Sequence, residues 1–107
     1  YCVIALMQLN LAADAPLSLS AEEVEREYAH HIEENIKLLT AKNHDYGEAW
    51  RDMRVSSITD IILMKLYRTK QIEDNEGQTL ISEGVEANYR DMINYAVFAL
   101  IKSGFAE

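Results

Sequence analysis

Residues 42–52 (KNHDYGEAWRD) crowd Lys42, His44, Asp45, Tyr46, Glu48 and the only tryptophan, Trp50, around Gly47. Aromatic rings beside charges at a glycine bend suit stacking on a nucleobase, with Asp45 and Glu48 able to reach a cation. The same segment can equally be read as an interhelical turn whose Tyr46 and Trp50 plug the core. A second polar group, Asn88, Asp91, Asn94 and Tyr95, recurs at spacings of three and four. It therefore shares one face of a helix that is otherwise strongly apolar. Burying an unpaired carboxylate is too costly for a helix of this size, so Asp91 must be paired, hydrated, or bound to a ligand or metal. Pairing would come from Lys65 or Arg68.

Positive charge is concentrated in the middle of the chain. Six of the ten basic residues, Lys42, Arg51, Arg54, Lys65, Arg68 and Lys70, fall between positions 42 and 70. Lys65 and Arg68 share one side of a helix, where two bases can clamp a phosphate; helix-surface ion pairs with the many glutamates are the plainer reading. His30 and His31 read as exposed helix residues, because no cysteine or third histidine stands at ligand spacing. The sequence contains no glycine-rich phosphate loop and no nucleophilic triad pattern.

The elements that must position these residues are helices. Ser20 and Glu23 make a capping box, and Val24, Tyr28, Ile32, Ile36 and Leu39 follow at helical spacing, which predicts a helix from residue 20 to about Lys42. Asn43, Asp45 and Gly47 then break the pattern into a loop or bend. Residues 57–73 are apolar on nearly all sides at first, which predicts a helix at the centre of the bundle. DNEGQT reads as a turn, and QTLIS could hold a brief extended segment. The last helix is expected from Ser82 or Glu83, with Gly104 as its stop.

Bulk properties agree with an all-α antiparallel helical bundle. The chain has 107 residues, 49% hydrophobic and 26% charged, with only four glycines and one proline, a profile that argues against disorder and against a strand-rich fold. The formal charge of −8 argues against a broad nucleic-acid or anionic-membrane footprint, although a small basic pocket is still allowed. Cys2 is the only cysteine, so a disulfide framework and a thiolate zinc site are excluded, and a reducing cytoplasm fits best.

The opening YCVIALMQ aligns without gaps on YAVFALIK, pairing Tyr1 with Tyr95, Val3 with Val97, Ala5 with Ala99 and Leu6 with Leu100. Chance similarity of two apolar helices can produce such a match. Read as a repeat, residues 1–13 are the last helix of a preceding copy, 14–19 a linker around Pro16, and 20–107 one complete copy. Three long helices are few for a closed bundle, so the expectation is completion by a second copy and a homodimer for this chain.

The strings from Lys42 through Asn75 and from Ser82 through Ile101, with the DYG triplet 45–47, the Lys65 and Arg68 pair and the DMINYA stretch from Asp91, resemble a bacterial and phage family called nucleotide modification associated domain one. Members often carry the unit in tandem. The family name implies nucleotide metabolism, and its helical pattern is similar to the MazG-like all-alpha nucleoside triphosphate pyrophosphohydrolases, which hold magnesium on acidic helix motifs. The resemblance implies a nucleotide or nucleotide-like ligand. By this analogy Glu86 and Asp91 would hold magnesium, with Lys65 and Arg68 facing phosphates. The candidate nucleotide-binding set is Asp45, Tyr46, Trp50, Lys65, Arg68 and Asn94. The chain departs from the MazG motifs at two points: Lys37 follows Glu33 and Glu34 where a third glutamate belongs, and Asn88 stands three residues before Asp91 where glutamate belongs. A module without catalysis, whose polar core residues fix the docking of one copy on the next, is the alternative.

Overall fold

A computed structural model describes residues 1–9, 19–76 and 84–104. Among them the chain forms four α-helices and no strand: α1 (Cys2–Leu9), α2 (Ala21–Tyr46), α3 (Val55–Asp74) and α4 (Val85–Lys102), with a short 3-10 turn at Ala49–Asp52. The linker 14–19 lies mostly outside the described residues, as do the expected start at Ser82 or Glu83 and the QTLIS segment.

Helix α2 begins where the sequence places it. Ser20 is its N-cap and accepts a hydrogen bond from the Glu23 amide at 3.2 Å, while its hydroxyl donates to the Glu23 carboxylate at 3.1 Å. Its end comes later than expected. Asn43, His44 and Asp45 stay helical, and the chain turns only at Gly47, whose amide donates to the Asn43 carbonyl at 2.9 Å. Gly47 has φ 68° and ψ −160°, a region essentially closed to residues with a Cβ. One glycine therefore does what the cluster of turn formers was expected to do.

Helix α4 is the hub. It packs against α1, α2, α3 and the 3-10 turn, whereas α3 was expected to be central. The contacts fix the register. Tyr89 donates to Glu73, Lys65 to Asp91, and Ile58 meets Phe98, so α3 and α4 run antiparallel. His31 and Asn35 meet Arg90, and Asn35 meets Asn94, so α2 runs parallel to α4. The apolar surplus of α3 is left outside, with Leu63, Met64, Leu66 and Tyr67 exposed while Ile58, Thr69 and Ile72 are buried. A helix apolar on all sides can bury only the arc its neighbours cover.

The stripe expected to anchor α2 is also largely outward. Val24, Tyr28 and Ile36 are exposed, and the buried residues of this helix are His31 and Asn35. His31, expected at the surface, is only 1% exposed. It lies on the arc that faces α4, where Arg90 supplies a polar partner. Trp50, Ile58 and Phe98 form the apolar centre, with Leu39, Met53, Ile62 and Tyr95 packed around it. Trp50 stacks on Phe98 with ring centroids 4.4 Å apart and planes 3° from parallel, and Phe98 meets Tyr95 edge-on. At the other end Val3 and Leu6 of α1 are buried in contact with α4 and α2. Gly104, with φ 85°, bonds back to Ile101 at the end of α4, as the sequence suggested.

Candidate functional site

The four polar residues expected on one face of α4 do turn inward. Asn88, Asp91 and Asn94 are buried and Tyr95 is half-buried. Asp91 is met by two cations. Lys42 Nζ lies 2.7 Å from its Oδ1 and Lys65 Nζ lies 2.9 Å from its Oδ2. The carboxylate thus ties the end of α2 and the middle of α3 to α4. Burial pushes the Asp91 carboxyl upward, but hydrogen bonds and charge from the two lysines outweigh this and hold it below its usual value. The group is ionised at neutral pH and is shared between the two lysine side chains.

Lys42 and Asp91 sit at the polar end of a cleft of about 150 Å³ between the end of α2, the 3-10 turn and α4. Asn43 and Asn94 also line that end, and Tyr46, Trp50, Met53, Tyr95 and Phe98 form an apolar, largely aromatic wall. The Gly47 bend folds the 3-10 turn back against α4, where the Lys102 ammonium donates to the Arg51 carbonyl at 2.6 Å. The Arg51 guanidinium lies 4.4 Å from the centre of the Trp50 ring and pairs with Glu48. The Trp50 ring is thus covered by the Arg51 guanidinium as well as by Phe98.

The residues named from sequence separate into groups. Trp50, Tyr46, Asn94 and Asp91 come together in the cleft, and Lys65 reaches it through Asp91. Trp50 is 8% exposed and stacks on Phe98, so it plugs the core as one reading of the 42–52 segment expected while also lining the cleft, whereas Tyr46 is exposed and does not plug the core. Asp45 is exposed, pairing with His44. Arg68 is half-buried on α3 and makes no ion pair with the described residues. Glu86 lies near the start of α4 and pairs with Arg90 at 3.2 Å.

Magnesium at Glu86 and Asp91 does not fit these residues. Each Asp91 oxygen already accepts from a lysine ammonium, so a divalent ion would have to displace two cations from a buried site. Among the described residues no group of three His, Cys, Asp or Glu could hold an ion, and hard divalent cations require several oxygen ligands.

Two features were missed in the sequence. Lys42, noted for its place in a dense segment and among the clustered basic residues but not as a partner of Asp91, makes the shorter of the two contacts to it. The second is a buried polar network in which Arg90 donates to the Asn35 Oδ1 at 2.8 Å, to the His31 carbonyl at 3.3 Å and to the Glu86 carboxylate, and also meets His31 Nδ1 at 3.2 Å. A guanidinium can only donate, so Nδ1 is the acceptor and His31 is the neutral tautomer carrying its proton on Nε2. Burial, reinforced by the Arg90 charge, lowers the His31 pKa. The signal was available: His31, Asn35 and Lys42 on one helix and Arg90, Asp91 and Asn94 on the other recur at helical spacing.

The profile of the family described as nucleotide modification associated domain 1 matches residues 42–102, more than half of the chain and all of the residues lining the cleft except Leu39. The chain belongs to this family. No curated protein and no solved structure matches the chain. The matched segment of this nucleotide modification associated domain contains Lys42, Trp50, Lys65, Asp91 and Asn94. It begins after His31 and Asn35, which orient the α4 face from outside it. No described helix is long and apolar enough to cross a membrane.

Proposed function

We propose that this domain binds a nucleotide in the cleft between α2, the 3-10 turn and α4. The observation that carries the reading is the convergence of Lys42 and Lys65 on Asp91 at the polar end of an aromatic-walled cleft. A nucleotide has a flat apolar base and an anionic phosphate. The apolar wall, with the exposed Tyr46 ring in it, suits the former, and the lysine ammoniums beside Asp91 suit the latter. Membership of a nucleotide modification associated family agrees with this ligand class. The −8 charge of the whole chain favours a small anion held locally over a long nucleic acid.

Hydrolysis of a triphosphate, the activity implied by the MazG-like resemblance, would need a metal that the Glu86 and Asp91 environments do not suit, so binding is the function proposed here. The test is calorimetric titration with nucleoside mono- and triphosphates, with and without magnesium. Saturable binding that persists without magnesium supports the proposal. Absence of heat across the panel defeats it.

A second reading has its own support. The first ten residues of α2 are exposed throughout, Val24 and Tyr28 included, and α3 presents Leu63, Met64, Leu66 and Tyr67 to solvent. These faces suit association with a second copy, whether in tandem or as a homodimer. Light scattering at tens of micromolar decides this: twice the chain mass is expected, and a clean monomer rejects it.

A further inference from the structure

The buried network around Arg90 does more than satisfy its own members. It assigns a direction to the amide of Asn94, a cleft residue. Arg90 donates to Asn35 Oδ1, and because a guanidinium offers no acceptor, that oxygen cannot be exchanged for the amide nitrogen. Asn35 Nδ2 must then point the other way. There it donates to the Arg90 backbone carbonyl at 3.1 Å and to Asn94 Oδ1 at 3.2 Å. A backbone carbonyl only accepts, so Asn35 is held from both ends. With its own oxygen engaged by Asn35, Asn94 is left with Nδ2 for the cleft it lines.

Two charged residues stand beside it. Lys42 contributes an ammonium, and Asp91, the one carboxylate lining the cleft, has both oxygens committed to lysines.

Resting on the nucleotide reading above, we propose that Asn94 presents a fixed amide donor to the ligand, and that Asn35 and Arg90 are positioning residues that set this polarity. Asn94 therefore selects an oxygen acceptor at its place in the cleft, either a phosphate oxygen or a carbonyl of the base. The rule is restrictive. An amide free to flip could satisfy a donor or an acceptor, whereas this one can satisfy only an acceptor.

The substitution that isolates the effect is Asn35→Asp, at a position that does not line the cleft. The carboxylate still accepts from Arg90 but offers nothing to Asn94, so Asn94 turns its nitrogen towards Asp and its oxygen towards the cleft. The first readout is side-chain amide exchange with water by NMR and needs no ligand. In the wild type the Asn94 Nδ2 protons exchange faster than those of Asn35, and in the variant they become protected. Protection of Asn94 Nδ2 in the wild type overturns the proposal even if the variant fails to fold, as does unchanged exchange in a folded variant. The second readout is affinity for a nucleoside monophosphate, its parent nucleoside and inorganic phosphate. A loss of at least about tenfold is expected, the order of one hydrogen bond to a charged or strongly polar group. Loss confined to the phosphate-bearing probes assigns the acceptor to phosphate, and loss for the nucleoside as well assigns it to the base. Unchanged affinity in the variant overturns the proposal. If the wild type binds none of the probes, the nucleotide reading falls, while the exchange rates still decide the polarity of Asn94.

Discussion

Replacing Asp91 with Asn keeps the shape of the side chain and removes the charge that two lysines share. The Lys65 side chain is 17% exposed and Asp91 8%, whereas Lys42 is 44% exposed. Lys42 can swing into water when its partner is neutralised, so its contribution is discounted as that of a surface pair. Lys65 has less freedom, and its uncompensated charge stays largely buried. Removing one partner of a buried pair costs about 3 to 5 kcal/mol, and the partial exposure of these lysines places Asp91→Asn near the lower end, about 3 kcal/mol. For a domain of this size that corresponds to a drop in Tm of roughly 10 to 25 °C. The assay is urea unfolding followed by circular dichroism, with the slope m checked for constancy so that the shift in midpoint reports stability. Adding Lys65→Met to Asp91→Asn should recover more than half of the loss, because it removes the stranded charge. A single-variant loss below about 0.5 kcal/mol, or a double variant no better than the single, would refute the reasoning.

Gly47→Ala should cost about 1 to 3 kcal/mol through backbone strain alone, since an added Cβ would meet nothing within 4 Å; thermal unfolding measures it, and a neutral result would show that the turn can take another conformation. Two groups set the acid limb of stability. The His31 pKa is depressed from 6.5, so the unfolded chain binds this proton more readily, and stability is lost as pH falls below about 6.5 towards the folded value. The Asp91 pKa is depressed from 3.8, so its contribution is present above that value and is lost as pH falls through the lower folded pKa. The expected Tm profile declines first between pH 7 and 5, a decline that His31→Gln should flatten, and again below about pH 4, a decline absent from Asp91→Asn. Burial, with help from the Glu73 hydrogen bond, pushes the Tyr89 phenol up to about 12, so ultraviolet titration should find one tyrosine ionising late, and Tyr89→Phe should remove that step.

How far the sequence could be read depended on whether a feature was local or tertiary. The Ser20 cap, the Gly104 stop and the inward face of Asn88, Asp91 and Asn94 depend on neighbours three or four positions away, and they stand where spacing put them. The end of α2 was misplaced because turn propensity at Asn43 and Asp45 is weak beside the packing of a long helix, while the absolute requirement of φ at Gly47 was decisive. The core faces of α2 and α3 were misread for another reason. Val24, Tyr28, Ile36, Leu63 and Met64 are apolar enough for a core, but which arc of a helix is covered depends on where α4 lies, and no periodicity encodes that. His31 and Asn35 were passed over because a buried polar residue is recognisable only through its partner. That partner, Arg90, lies 59 positions from His31 in the sequence. Asp91 itself was legible as a residue needing a partner, and Lys65 was foreseen, whereas Lys42 is 49 positions away from it and meets it only through the packing of α2 against α4.

The central claim is that the aromatic-walled cleft receives a nucleotide, and Trp50, the only tryptophan in the chain, stands in its wall. Its fluorescence during titration with nucleoside mono- and triphosphates, in wild type and in Lys42→Ala, tests that claim most directly. A saturable change in emission, with an affinity weakened about tenfold or more in Lys42→Ala by loss of a charge-assisted contact, is the expected result. Emission that stays constant through millimolar nucleotide, or that changes identically in the two proteins, would contradict it.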